Sequence, residues 1–202
     1  SSPIWRYIKS LSKRYDATMV SGKWLANRLD DFGVHAPIAT PFGIDKSIFS
    51  PAKRSEAKRE ELLKLCGLGP EASLCVIVSR FHPEKRLGVV LDAFLKLQET
   101  RSAGLVVFGT GFMSEKLQSR FHEAQGVHIA GFTKDREELA QVYASSDVML
   151  HGSAAETFGL GVAEAICSGL PIVAPSVGGA ADLVGSGCGL QYEPGDVAGC
   201  AQ

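Results

Sequence analysis

Glu156-Thr157-Phe158-Gly159-Leu160-Gly161-Val162-Ala163-Glu164 follows an apolar, strand-like run, Val148-Met149-Leu150, and the reading of this stretch decides the fold. Its glycines open a helix, so the segment reads as strand, loop, helix. The first glutamate sits in the loop and the second well inside the helix. A helix start presents unpaired backbone N–H groups and a partial positive charge, which makes it a natural seat for a phosphate. With the helix beginning near Gly159, Glu164 lies about 7–8 Å further along the axis at ~1.5 Å per residue. A carboxylate then stands on each side of a bound diphosphate, and each can accept hydrogen bonds from hydroxyl groups. Hydroxyls flank a diphosphate on both sides in a nucleotide sugar, with ribose at one end and hexose at the other.

The same alternation extends in both directions. Apolar runs suited to strands occur at Leu74–Ser79, Gly104–Phe108, Val127–Ala130, Val148–Leu150, Pro171–Ala174 and Gly189–Gln191. Between them, amphipathic stretches predict helices at Arg86–Glu99, Met113–Ala124, Arg136–Ala144, Gly159–Ser168 and Ala180–Leu183. Short apolar strands alternating with helices imply an α/β fold, a Rossmann-like parallel sheet with helices on both faces. Upstream, Lys53–Leu65 reads as a helix with one apolar face, and Pro41–Pro51 as an irregular connector. Residues 1–40 read as strand, helix and strand: Asp16–Val20, then Lys23–Phe32 capped by Ser21 and stopped by Gly33, then Ile38–Thr40. Trp5, Trp24 and Leu29 in this piece need apolar partners.

Ligands of open parallel sheets bind beyond the carboxyl ends of the strands. Arg80 and Lys85 follow one predicted strand, and Phe108-Gly109-Thr110-Gly111 closes the next. Gly131-Phe132-Thr133 follows a third and Glu156 a fourth. Each also has a plain structural reading. Arg80 and Lys85 fit a solvated charged loop beside Glu84 and Arg86. Glu156 suits a helix start, the glycines suit turns, and Phe132 suits a core. Glu164 stands among Val162, Ala163, Ala165 and Ile166, where a carboxylate without a partner is costly. Lone histidines such as His82 and His151 are more often structural than catalytic.

The glutamate pair, with Gly169-Leu170-Pro171-Ile172-Val173-Ala174 and Gly178-Gly179 after it, resembles the signature of retaining glycosyltransferases of family 4, which have the two-domain GT-B fold. Ser79-Arg80-Phe81-His82-Pro83-Glu84-Lys85-Arg86 is similar to the family's diphosphate-gripping segment. Pro41-Phe42-Gly43-Ile44-Asp45 with Phe49-Ser50-Pro51 is similar to the passage between the two domains. Three positions depart from the pattern: Thr157 and Ser79 where glycine is usual, and His151 where proline is common. None removes a charged group.

The resemblance implies catalytic roles for Arg80, Lys85 and Glu156, with cations on the diphosphate and Glu156 on the hexose. It implies donor binding by Gly109, Phe132, Thr133, Phe158, Gly159, Leu160 and Glu164, the last on the ribose. It divides the chain into the end of an N-terminal acceptor-side domain (1–42), a connector (43–52) and a nucleotide-sugar-binding domain (53–202). The chain is then the donor-binding C-terminal half of an enzyme, expected to be inactive alone. The implied partners are a nucleotide-sugar donor, an acceptor sugar, lipid or small molecule, and the N-terminal domain itself. The donor is a substrate and no cofactor or metal is called for.

Composition bounds these readings. The chain has 202 residues, 45% hydrophobic and 21% charged, enough for one substantial core. A formal net charge of −1 gives no electrostatic reason to expect nucleic acid as a partner. No apolar run approaches the roughly 20 residues that span a bilayer. The five cysteines are scattered with no Cys-x-x-Cys pair, which fits buried thiols in a reducing cytoplasm, with association at the inner face of a membrane for a lipid acceptor. Zinc-ligand spacing, a phosphate loop of the Gly-x-x-x-x-Gly-Lys type and a Gly-x-Ser-x-Gly elbow are all missing. Two rivals stay open: a non-catalytic nucleotide-sugar-binding module of the same fold, and a sugar-nucleotide epimerase of related fold.

Overall fold

The computed structural model describes residues 3–35, 37–185 and 187–202. In chain order, helix α1 (Pro3–Ser12) leads to strand β1 (Thr18–Val20), α2 (Lys23–Asp31) and β2 (Pro37–Ala39). After a connector come α3 (Glu56–Leu65), β3 (Ser73–Val78), α4 (Leu87–Gln98), β4 (Ala103–Phe108), α5 (Glu115–Glu123) and β5 (Val127–Gly131). Then follow α6 (Arg136–Ser145), β6 (Val148–Leu150), α7 (Leu160–Cys167), β7 (Ile172–Pro175), α8 (Gly179–Val184), β8 (Gly189–Tyr192) and α9 (Val197–Cys200). Single 3₁₀ turns occupy Pro51–Lys53 and Pro83–Lys85.

Strands β3 to β8 form one parallel sheet in the order β5-β4-β3-β6-β7-β8. Counted along its own chain this is 3-2-1-4-5-6, the doubly wound Rossmann order, and its switch point falls between β3 and β6. Side chains alternate cleanly between the two faces. Leu74, Val76, Val106, Met149 and Ile172 join Leu62, Tyr143, Val162 and Ala180 on one side. Cys75, Ile77, Leu105, Val107 and Leu150 join Val90, Leu91, Phe94 and Phe121 on the other. Every residue of β4 is buried, as a central strand covered on both faces requires.

Local chemistry sets the helix starts. Ser55, Ser114, Asp135 and Asp196 cap α3, α5, α6 and α9 through their own side chains. Ser114 moves the start of α5 to Glu115, two residues later than the apolar pattern suggests. The strands expected at Val127–Ala130 and Gly189–Gln191 each run one residue further, while that expected at Pro171–Ala174 is shifted by one.

The N-terminal piece differs from expectation in two ways. A helix, α1, precedes the strand–helix–strand unit; Pro3 suits its first turn, and Trp5 stacks on Phe32 with centroids 4.1 Å apart and planes within 7°. Leu29 and Val20 pack with Trp5 and Ile8, which lie at helical spacing on one face of α1. Ser21, expected to cap α2, does not: the cap residue is Gly22, and Ser21 Oγ instead donates to the carbonyl of Thr157 at 3.0 Å. The cap comes from α8, where Asp182 Oδ2 accepts from the Trp24 N–H at 2.7 Å. The parallel pair β1–β2 forms a sheet separate from the six-stranded one. Among the described residues no disulfide joins the cysteines, and no helix is long and apolar enough to cross a membrane.

Candidate functional site

The carboxyl ends of β3, β4, β5 and β6 open into a cavity of about 750 Å³. All ten residues singled out from sequence line it: Arg80, Lys85, Gly109, Phe132, Thr133, Glu156, Phe158, Gly159, Leu160 and Glu164. They come from segments up to 84 residues apart, and the switch point of the sheet is what gathers them.

Lys85 ends the 3₁₀ turn after β3 and is buried, 9% exposed, although lysine rarely is. Its ammonium donates to Glu156 Oε2 at 2.5 Å, and Glu84 Oε1 stands 3.9 Å away. The two groups that the resemblance assigns to phosphate and to sugar are therefore each other's partners in this structure. Arg80 is the opposite case: its side chain is 77% exposed and reaches only Glu84, at 3.4 Å. It stands at the cavity rim.

The loop holding Glu156 is rigidly backed. Gly179 N donates to the Glu156 carbonyl at 2.6 Å, and a Cβ on Gly179 would lie 2.4 Å from the Thr157 oxygen. Gly178 and Gly179 thus open α8 and brace the loop; they do not line the cavity. Helix α7 begins after Gly159, which adopts φ 92 and provides no side-chain cap. The first N–H groups of α7 face the cavity side of Gly159, Leu160 and Gly161 without a protein acceptor from a cap. On its second turn Glu164 is half-buried, and the Arg136 guanidinium lies 3.5 Å from its carboxylate. Burial pushes the Glu164 carboxyl above its ordinary value, with Arg136 pulling it down.

On the β4–β5 side, Gly109 N donates to the Gly131 carbonyl at 2.7 Å. Thr133 Oγ1 donates to Glu138 at 2.6 Å, while Phe132 projects outward, 64% exposed. An exposed phenylalanine on a cavity rim offers a flat apolar face. Phe42, from the connector, meets Phe158 edge-on at 5.3 Å and closes the opposite lip.

Three polar residues of this cavity were given no role from sequence: Ser79 and His151, noted there as departures from the family pattern, and Tyr143. Among the described residues, Ser79 Oγ, Tyr143 Oη and His151 Nε2 are buried without a hydrogen-bond partner, and all three residues line it. Buried polar atoms are ordinarily satisfied, so their gathering at one place marks a surface shaped for something that brings partners. Burial and the nearby Glu164 raise the Tyr143 phenol. Burial, the largest effect, lowers His151 to about 4, leaving a neutral imidazole. Ser79 and His151 each follow a strand directly, which is the available sequence signal; Tyr143 lies within an amphipathic helix and carried none.

Strand order, switch-point cavity and helix-terminal glycines define a doubly wound α/β domain of the Rossmann type. The chain belongs to the family Glycosyl transferases group 1, which matches residues 72–202. It is 34% identical to the sulfoquinovosyl transferase SQD2 of Arabidopsis thaliana over 205 aligned residues, covering 98% of this chain and 39% of that protein. It is 32% identical to a GDP-mannose-dependent alpha-mannosyltransferase of Mycobacterium tuberculosis, covering 89% of this chain and 44% of the relative. Among solved structures, Anabaena HepE in complex with UDP-glucose superposes with a TM-score of 0.80 at 22% identity, over 98% of this chain and 55% of that one. The sucrose-phosphate synthase of Thermosynechococcus elongatus gives 0.80 at 22% identity, over 100% and 51%. The chain thus spans less than half the length of these curated relatives.

Proposed function

We propose that this chain holds a nucleotide-diphosphate sugar and supports transfer of its hexose to an acceptor with retention of anomeric configuration. One observation carries the reading: α7 opens without a side-chain cap onto a cavity that also contains Lys85, Arg80, Glu156 and Glu164. The diphosphate sits at the start of α7, with the Lys85 ammonium on one side and Arg80 turning in from the rim. Breaking the bond between the sugar and the diphosphate builds negative charge on the leaving oxygen, and fixed donors and cations there lower the barrier. These groups supply the positive charge, so the reading calls on no metal. Phe132 and Thr133 face the nucleobase end, Glu164 the ribose and Glu156 the hexose. The attack comes from an acceptor on the face that the sugar's departure leaves open. No described residue is assigned to the acceptor, which is a sugar, a lipid or a small molecule held by a further, N-terminal domain; residues 1–202 alone then bind donor with little or no turnover. The cytoplasm is the place of reaction in this reading, at the inner face of a membrane for a lipid acceptor.

The relatives support it. SQD2 is named for sulfoquinovosyl transfer, the mycobacterial protein for GDP-mannose dependence, and the HepE structure contains UDP-glucose. Calorimetric titration of the chain with uridine, guanosine and adenosine diphosphates and their sugars tests it. At least one pair should bind, and Lys85→Ala should weaken it by roughly 1.5–3 kcal/mol, the scale of a hydrogen bond to a charged group. Unchanged affinity in that variant would remove Lys85 from the diphosphate. Donor binding without transfer to any acceptor, by this chain joined to the N-terminal domain, would favour a binding module instead.

A further inference from the structure

His151 is a buried imidazole with a nitrogen that the protein leaves unpaired, and the roles above make no use of it. It stands one residue beyond β6, beside the switch point; the pairing of Val76 with Met149 carries on to set it level with Val78. Its backbone is tied on both sides. The His151 N–H donates to the Val173 carbonyl at 2.8 Å, and the Tyr192 hydroxyl donates to the His151 carbonyl at 2.9 Å. The residue is 6% exposed, lines the cavity, and among the described residues its Nε2 has no hydrogen-bond partner. A strand end anchored in this way fixes the backbone from which the ring projects, and burial keeps the ring from water.

The charged groups that act on the ring are Glu156 and Lys85, whose ion pair lies beside it. That pair marks the junction between diphosphate and hexose in the proposed function, on which this inference rests. The nucleobase and ribose end, at Phe132, Thr133 and Glu164, belongs to other segments. The Ser153 backbone engages the ring, so Nε2 is what remains for a ligand, and burial keeps the imidazole neutral at physiological pH, suited to a hydroxyl. Diphosphate oxygens are already served by Lys85 and the start of α7. A carbohydrate hydroxyl is the ligand group that matches what is left over.

We propose that His151 is a specificity-determining residue that hydrogen-bonds a hydroxyl of the hexose carried by the donor. When Lys85 turns from Glu156 to the diphosphate, the ion pair beside the ring opens and the ring becomes accessible to the sugar. Glu156 and His151 then read neighbouring hydroxyls, and the identity of the accepted hexose depends on both.

The test compares each nucleoside diphosphate with its sugar conjugate, using UDP with UDP-glucose and GDP with GDP-mannose, on residues 1–202. For the pair that binds, the ratio of the two dissociation constants measures the contribution of the sugar. His151→Phe and His151→Asn should reduce that ratio about tenfold while leaving nucleoside diphosphate affinity within a factor of two, the scale expected for one lost hydrogen bond. An unchanged ratio, or equal losses for diphosphate and conjugate, assigns His151 a packing role only and overturns the proposal. Should both variants melt out, the parent chain decides the matter with monodeoxy sugar nucleotides. Two deoxy positions should each cost about tenfold, one for Glu156 and one for His151, and a series in which fewer than two hydroxyls matter overturns the proposal. Failure of every nucleotide to bind the parent chain overturns the proposed function itself, a result distinct from an unchanged ratio.

Discussion

Lys85 and Glu156 illustrate how a single pair can be both structure and machinery. A buried ammonium must be paired, and without ligand Glu156 does the pairing, at 2.5 Å. In the proposed function the diphosphate competes for the same ammonium. Glu156→Gln removes the competing charge, so the chain should bind nucleoside diphosphate more tightly, by roughly 1 kcal/mol on the scale of hydrogen bonds to charged groups. The sugar should add less to affinity in that variant than in the parent. Weaker diphosphate binding would show that Glu156 helps to hold Lys85 in place and does not restrain it. Glu164 gives a prediction of the opposite sign for stability. Its carboxyl is raised by burial, against the pull of Arg136. A raised acid contributes stability below its ordinary value of 4.5 and loses it as pH climbs through the folded value, so the charged form is a cost at pH 7. Glu164→Gln should therefore melt at a higher temperature than the parent at pH 7, with the gain shrinking as pH falls towards 4. The same variant should bind nucleotide less well. A melting point below the parent's at pH 7 would mean that the contact with Arg136 outweighs burial.

At the scale of elements, the ends of the strands come close enough that backbone alone fits. Gly109, just past β4, has φ 146, and a Cβ there would lie 1.8 Å from the Ser79 carbonyl oxygen just past β3. Gly109→Ala should cost roughly 1–3 kcal/mol of unfolding free energy from strain and should splay the β3 and β4 ends that carry Ser79 and Arg80. Chemical denaturation measures the first, and a parallel loss of nucleotide affinity the second. A neutral substitution would mean that the turn relaxes freely. The sequence offered this glycine two readings, turn or donor contact, and the structure supplies both a steric need and a place on the cavity wall. Elements with a strong period were legible: the six sheet strands and the helices between them declare themselves by short apolar runs and amphipathic spacing. The candidate site residues were named by the resemblance, and they share one cavity because their segments leave the carboxyl ends of the strands or, for Glu164, lie in the helix that follows one. What escaped depends on distant partners. The cap of α2 comes from Asp182 in α8, and the burial of His151 and Tyr143 follows from packing that no local pattern encodes; α1, by contrast, carries Trp5, Ile8 and Leu11 at helical spacing, a local signal that went unread.

Across the whole molecule, these long-range ties connect the N-terminal unit to the donor loop. Ser21 holds the Thr157 carbonyl, and Asp182 holds the start of α2, while Gly179 N holds the Glu156 carbonyl. The segment from Glu156 to Gly159 is thus clamped between α2 and α8 on one side and faces the cavity on the other. A ligand that binds the native state stabilises whatever opens together with its site. Donor binding should therefore slow amide hydrogen exchange at Trp24 and its neighbours in α2, not only in the β6–α7 loop. Removing the tie should separate the two responses. Asp182→Ala should cost about 0.5–2 kcal/mol, the usual scale of a lost cap, and should abolish the protection of α2 while the loop remains protected by nucleotide. Protection of α2 that persists in Asp182→Ala would assign the coupling to Ser21 alone. Exchange in α2 indifferent to ligand in the parent chain would show that the two units open independently, and that the hydrogen bonds between them carry no information about the cavity.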